Sequence, residues 1–304
     1  MSVDDDRLSA ALKIAAANPG SVLAFVGPTA SGKTDLAIRV AEALGGEIVS
    51  VDSVQVYRGF DIGSGKPTAE EQARVRHHVI DVAAPLEPID AARFATLANA
   101  AIDDVRARGK VVVLCGGTFL WMKALLFGLV EAVAADESIR TRHRDEVEKR
   151  GHQALHDRLR AVDPSAADRL HPNDVVRVSR ALEVHELTGR TLTDAHREHG
   201  FATTRHEPQL VAILRTPDEL TTRIRTRVSA WLDAGFLEET QRLLDEGFGE
   251  ARAMQTVGYL EVKRHLLGLL PREELLETIV KRTRVFARRQ RTWLNKPGAS
   301  LTWL

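Results

Sequence analysis

Lys33 and Thr34 close the octapeptide Gly27-Pro28-Thr29-Ala30-Ser31-Gly32-Lys33-Thr34, and Asp52 stands at the end of the next apolar run. The two glycines let backbone N–H groups wrap an anion, Lys33 adds a point charge, and the Thr34 hydroxyl can ligate Mg²⁺ at a helix N-terminus. The spacing G-x-x-x-x-G-K-T is met in full. Any magnesium diphosphate offers the same charges and oxygens as ATP, so the motif specifies a diphosphate and leaves its bearer open.

Asp52 has two readings. At the carboxyl edge of an open α/β sheet it lies where ligands sit, and it can also cap the helix that follows. Asp61 reads as a cap or turn residue. A P-loop kinase usually holds Mg²⁺ through an Asp closing a later strand, yet "VVVLCGGT" (111–118) ends without one. "RIRTR" (223–227) puts Arg223 and Arg227 four apart on one helix face, as a kinase lid would require. In "VKRTRVFARRQRTW" (280–293), Lys281, Arg284, Arg288 and Arg291 recur at three- and four-residue spacing, with Ile279, Phe286 and Trp293 on the opposite side of the wheel. One face can pack while the other meets phosphate; a solvated surface helix is the plain alternative. His152 and His156, four apart in "HQALH", lack an acidic partner motif, and no metal is expected there.

The elements that must hold these residues follow from the apolar runs. "SVLAFV" (21–26) stops at Gly27, and "KTDLAIRVAEAL" (33–44) carries Leu36, Val40 and Leu44 at helical spacing, which predicts strand, loop and helix in succession. "EIVSV" (47–51), "HVIDV" (78–82), "KVVVLC" (110–115) and "QLVAIL" (209–214) are further short runs. Apolar on both faces, they suit a buried parallel sheet. Residues 129–205 hold only charged amphipathic pattern broken at "VDPSA" and "LHPND", and 217–294 is helical until "NKPGAS". The fold expected is α/β, a P-loop NTPase-like parallel sheet flanked by helices, with a core of 1–128 and 206–304 and a helical insertion at 129–205.

The 42 basic and 42 acidic residues among 304 cancel, so a nucleic-acid partner must be drawn by a local patch and not by the whole field. Cys115 is the only cysteine, which rules out an internal disulfide and a thiolate zinc cluster. With an acidic "MSVDDDRLSA" start and no run of about 18 apolar residues, a soluble, cytoplasmic monomer without a membrane partner is expected.

Taken together, "GPTASGKT", "SVDSVQVYRGFDIGSGKP", "HHVIDV", "CGGTFLW", "HPNDVVRVSRALEVHELTGR", "RIRTRVSAWLDAGFLEET", "QTVGY" and "FARRQRTW" resemble, in order and spacing, the tRNA dimethylallyltransferases, which prenylate N6 of the adenosine next to the anticodon. The resemblance implies that Thr29 to Thr34 grip the diphosphate of dimethylallyl diphosphate with Mg²⁺, that Asp52 takes the proton from the adenine amine, and that Arg227 helps neutralise the leaving group. Asp52, Ser53, Val54 and Gln55 would contact the target base and its neighbours. Thr118, Arg140 and the "VRVSR" stretch with Arg177 and Arg180 fall where family members touch tRNA, although Val176 stands where the family more often has Gln. Phe119, Trp121 and "GSGKP" are further variations. The implied partners are the anticodon stem-loop of a tRNA and dimethylallyl diphosphate.

Three rivals follow from the same residues. A prenyltransferase acting on free AMP or ADP would have no use for the insertion or the basic helix, since a free nucleotide offers no extra phosphates to contact. A small-molecule kinase is disfavoured by the missing late-strand Asp. An RNA-binding protein with a vestigial loop is disfavoured because Lys33, Thr34 and Asp52 are all present.

Overall fold

The computed structural model describes residues 3–129, 135–199, 204–294 and 301–304. In chain order the elements are α1 (Val3–Ala17), β1 (Val22–Val26), α2 (Lys33–Ala43), β2 (Glu47–Val51), α3 (Ala69–Arg74), β3 (His77–His78), α4 (Ala91–Ala107), β4 (Val112–Gly116) and α5 (Phe119–Phe127). Then come α6 (Glu137–Val162), α7 (Pro164–Arg169), α8 (Val175–Thr188), α9 (Leu192–His199), β5 (Pro208–Ala212), α10 (Pro217–Asp233), α11 (Phe236–Asp245), α12 (Tyr259–Leu266), α13 (Arg272–Leu294) and β6 (Leu301–Trp303).

The six strands among the described residues are parallel, in the order β3-β2-β4-β1-β5-β6. β1, β2 and β4 are buried at every position, as expected for strands covered on both faces. Because side chains alternate along a strand, Leu23, Phe25, Val113, Cys115, Val211 and Ile213 share one face. That face packs under Ala11 of α1 and Leu36, Ala37 and Val40 of α2. The register pairs Val26 and Val51 with Gly116, so the loops after β1, β2 and β4 leave the sheet side by side.

The expected strand at 78–82 is shorter than read. Only His77 and His78 pair with β2, because Val79 (φ 61°) and Asp81 (φ 56°) enter the left-handed region and turn the chain out of the ladder. α1 and β6 were not legible as elements; β6 forms by pairing with β5.

The chain divides into two compact units, residues 1–126 with 205–304, and residues 127–204. The described part of the second unit is helical, with Leu155 and Leu159 of α6, Ala166 and Ala167 of α7, and Val178, Ala181 and Leu182 of α8 forming its own core. Parts of the expected insertion (130–134 and 200–203) and the expected helix break at 295–300 lie outside the described residues.

Candidate active site

The loop between β1 and α2 is shaped by backbone geometry and held from outside. Gly32 sits at φ 95°, where a Cβ is disfavoured, and Ala30 at φ 63°, which costs a non-glycine residue on the order of 1–3 kcal/mol. Arginines of the segment after β5 oppose that strain. Arg223 Nε donates to the Ala30 carbonyl at 2.7 Å, Arg215 Nε to the Ser31 carbonyl at 3.3 Å, and Arg227 Nη1 to the Thr29 hydroxyl at 3.4 Å. α2 begins at Lys33 without a side-chain cap, so its first N–H groups remain available to an anion. The Ser31 hydroxyl is buried without a hydrogen-bond partner among the described residues.

Lys33 Nζ lies 3.4 Å from the Pro28 carbonyl. Burial lowers its pKa, the charge of Arg227 lowers it further, and Cys115 and Asp52 oppose the shift. Burial also lowers the pKa of Arg227, against the pull of Asp35. Two cations are thus held partly desolvated beside an anion-shaped loop, an arrangement that an incoming anion would relieve. Arg227 additionally lies 5.7 Å over the ring of Trp231, which fixes its approach.

Asp52 follows β2 and combines both of its expected roles. Its Oδ1 accepts the N–H groups of Val54 (2.9 Å) and Gln55 (3.3 Å), making a turn, while Oδ2 has no hydrogen-bond partner among the described residues. Ser53 N–H donates to the Thr118 hydroxyl at 3.1 Å, joining the loops after β2 and β4. Gln55 Oε1 accepts from Ser50, and its Nε2 donates to the carbonyls of Ser64 (3.4 Å) and Gly65 (3.1 Å). The Gly65 loop is pinned in turn by buried Glu239, whose carboxylate accepts the N–H groups of Asp61, Ile62 and Gly63 and the hydroxyl of Tyr259 (2.6 Å). Asp61 serves this turn, as expected, its carbonyl accepting Lys66 N–H at 3.2 Å.

These groups line one cavity of about 320 Å³, with Thr29, Lys33, Thr34, Asp52, Thr118 and Arg227 on its polar wall and Val54, Trp231, Val257 and Phe286 among its apolar residues. Cys115 lines it as well; burial pushes its thiol up to about 11. Phe286 was expected on the packed side of the last helix. It is instead 44% exposed, because that side of α13 turns to the open cavity at Thr283 and Phe286, while Ile279 and Gln290 are buried.

Among the described residues no three His, Cys, Asp or Glu side chains gather as a metal cage. A cation here would be held by the Thr34 hydroxyl together with ligand oxygens and water, a donor set that suits Mg²⁺. His156 is taken by the carbonyls of Ala167 and Leu170 and His152 by Asn173, so the two do not converge.

Some expected contact residues lie outside this cavity. Lys281, Arg284, Arg288 and Arg291 line a separate groove with Leu220 and Ile224 of α10, and none of the four is ion-paired with a described carboxylate. In the second unit Arg140 and Arg180 both bond to buried Glu183, and Arg177 pairs with Asp174 at 3.2 Å. The bonds from Arg180 and Arg140 outweigh burial and hold the Glu183 carboxyl below its ordinary pKa. Val176 is 81% exposed.

No role was expected for Arg215, which reaches the loop between β1 and α2, or for Gln290, which accepts from Thr29 N–H at 2.8 Å. Arg223, singled out with Arg227 by its four-residue spacing, reaches the same loop.

A family model described as IPP transferase matches residues 55–297. The chain is 58% identical over 281 residues to the tRNA dimethylallyltransferase of Sorangium cellulosum, covering 92% of this chain and 90% of that protein. It is 48% identical over 270 residues to that of Anaeromyxobacter dehalogenans, covering 89% and 90%. Among solved structures, the full-length tRNA isopentenylpyrophosphate transferase from Bacillus halodurans matches with a TM-score of 0.69 at 37% identity, covering 94% of this chain and 90% of that one. A eukaryotic dimethylallyltransferase acting on tRNA matches with a TM-score of 0.77 at 28% identity, covering 92% and 71%. With a family model spanning most of its length and a relative 58% identical across nine-tenths of it, the chain belongs to the IPP transferase family, alongside the bacterial tRNA dimethylallyltransferases.

Proposed function

We propose that this chain transfers a dimethylallyl group from dimethylallyl diphosphate to N6 of the adenosine next to the anticodon of a tRNA, releasing diphosphate. The observation that carries the reading is that one carboxylate, Asp52, shares a cavity with a complete phosphate-binding loop and with Arg227. The new bond joins N6 to the allylic carbon as the carbon–oxygen bond breaks, the electron pair leaves with diphosphate, and the N6 proton passes to Asp52. The adenine amine is a poor nucleophile because its lone pair is delocalised into the ring, so a base must take the proton as the bond forms. Oδ2 of Asp52 suits that role because Oδ1 is already committed to the turn.

The loop amides of Ala30, Gly32, Lys33 and Thr34, with the Lys33 ammonium and Arg227, meet the charge that builds on the leaving oxygens, while the Ser31 N–H is held by the Pro28 carbonyl. A divalent cation, proposed to be Mg²⁺ at the Thr34 hydroxyl, supplies further neutralisation of the diphosphate when bound. Gly27 and Pro28 lead the chain into the loop. The target base must be extruded to reach the cavity, at a cost of a few kcal/mol that other contacts offset. Ser53, Val54, Gln55 and Thr118, all lining that cavity, are the residues proposed to hold it.

RNA phosphates are assigned to Lys281, Arg284, Arg288 and Arg291 on α13, and to Arg140, Arg177 and Arg180 in the insertion at 129–205. The enzyme is taken to act as a cytoplasmic monomer; among the described residues no helix is long and apolar enough to cross a membrane. Purified protein supplied with an unmodified anticodon stem-loop should consume dimethylallyl diphosphate and release diphosphate. Hydrolysis or transfer from ATP, with dimethylallyl diphosphate untouched, would replace this reading with a kinase.

A further inference from the structure

The side chain of Gln290 is 6% exposed, yet it lies on α13, whose opposite face carries the exposed basic stripe. Its Oε1 accepts the N–H of Thr29 at 2.8 Å, and its Nε2 donates to the carbonyl of Gly117 at 3.0 Å. The amide orientation is fixed by these partners, since a backbone N–H can only donate and a carbonyl can only accept. One side chain therefore bridges the loop after β1 to the loop after β4. A Cβ on Gly117 would stand 2.5 Å from Gln290 Nε2, so a side chain there would push the Gln290 amide out of this position.

We infer that Gln290 is a positioning residue for the donor diphosphate. It fixes the entry of the phosphate loop, and it withdraws the Thr29 N–H from the groups that face the anion. With the Thr29 hydroxyl held by Arg227, both the N–H and the hydroxyl of Thr29 are tied down. The amides that follow are then presented in a set geometry, and an anion site gains affinity when its donors need no reorganisation on binding.

Packing alone does not call for an amide here. α13 is already anchored by Leu275, Ile279, Val280 and Ala287, and Trp293 stacks on Phe119 with ring centres 4.9 Å apart. A buried amide costs stability unless both ends are paired, and here both ends are paired to the two loops that flank the cavity.

The inference rests on the diphosphate reading above, and the test separates the two. In the full chain, Gln290→Met keeps the bulk and removes both hydrogen bonds. It should raise the KM for dimethylallyl diphosphate and the calorimetric Kd for inorganic diphosphate about tenfold, the scale of two lost hydrogen bonds. kcat should change less than about threefold, and the Kd for an anticodon stem-loop less than about twofold, well short of that tenfold effect. Gln290→Glu keeps the acceptor for Thr29 but sets a negative charge against the Gly117 carbonyl and the anion, so it should bind diphosphate more weakly than the Met variant. Gly117→Ala, which pushes on Gln290 from the other side, should reproduce the donor defect and serves if the Met variant fails to fold by circular dichroism. Parental diphosphate affinity in folded Gln290→Met, with only Tm or kcat lowered, would overturn the inference and leave the diphosphate reading standing. A parent protein that binds neither inorganic diphosphate nor the donor would remove both.

Discussion

Asp52 accepts the backbone N–H of Val54 at 2.9 Å through Oδ1 alone. The carboxylate thus builds the turn that carries Ser53 to Gln55 and still presents a second oxygen to the cavity. Asparagine can keep the first role, because its carbonyl accepts the same N–H, and cannot keep the second. Asp52→Asn should bind donor and stem-loop within about twofold of the parent and turn over at least ~100-fold more slowly, the low end for a lost general base. Single-turnover kinetics beside equilibrium binding would check this; near-parental turnover would leave Asp52 as a turn residue only.

Thr34 is the one protein oxygen assigned to the cation. Thr34→Ala should shift the half-maximal Mg²⁺ concentration upward by several-fold, with turnover recovering at high Mg²⁺, because one ligand is lost from an otherwise water- and phosphate-built shell. A magnesium titration that superimposes on the parent's would mean the loop grips diphosphate without that hydroxyl.

Lys281, Arg284, Arg288 and Arg291 of the α13 stripe have no described carboxylate partners, whereas Arg140 and Arg180 share Glu183. The α13 stripe should therefore dominate the salt dependence of RNA binding. Each neutralised phosphate contributes roughly −0.7 to −0.9 to the slope of log K against log salt, so Arg284→Ala/Arg288→Ala should flatten it by about 1 to 2. An unchanged slope would take α13 off the RNA surface.

Burial pushes the Cys115 thiol up to about 11, with Lys33 pulling against that shift. Alkylation needs the thiolate. At pH 8 the native protein should react with iodoacetamide roughly 100-fold more slowly than the urea-unfolded chain, given a shift of about two pH units. Labelling of the native protein should climb as pH approaches 11. Equal rates at pH 8 would contradict the buried setting.

The phosphate loop and Asp52 were legible because each is a local pattern, a glycine-spaced loop between strand and helix and an acid closing a strand. The role of Arg227 came from the family resemblance, and helical spacing showed only that it shares a helix face with Arg223. Glu239 and Gln290 were not legible, because what makes them matter are backbone groups 178 and 261 residues away in the chain. A short strand such as β6 exists only through its pairing with β5. The truncation of β3 came from left-handed backbone at Val79 and Asp81, residues whose side chains favour extended pattern or turns without deciding between them. Phe286 was placed on the correct side of its helix, but the helical wheel cannot say that this side opens onto a cavity.

The most direct measurement of the central claim offers the purified enzyme labelled dimethylallyl diphosphate and two acceptors side by side, an unmodified anticodon stem-loop and free AMP. Incorporation should be confined almost entirely to N6 of the adenosine next to the anticodon, with AMP prenylated poorly at every salt concentration, since it lacks the phosphates that the α13 stripe is proposed to meet. Prenylation of AMP as efficient as that of the stem-loop, or no transfer to the stem-loop at all, would contradict it.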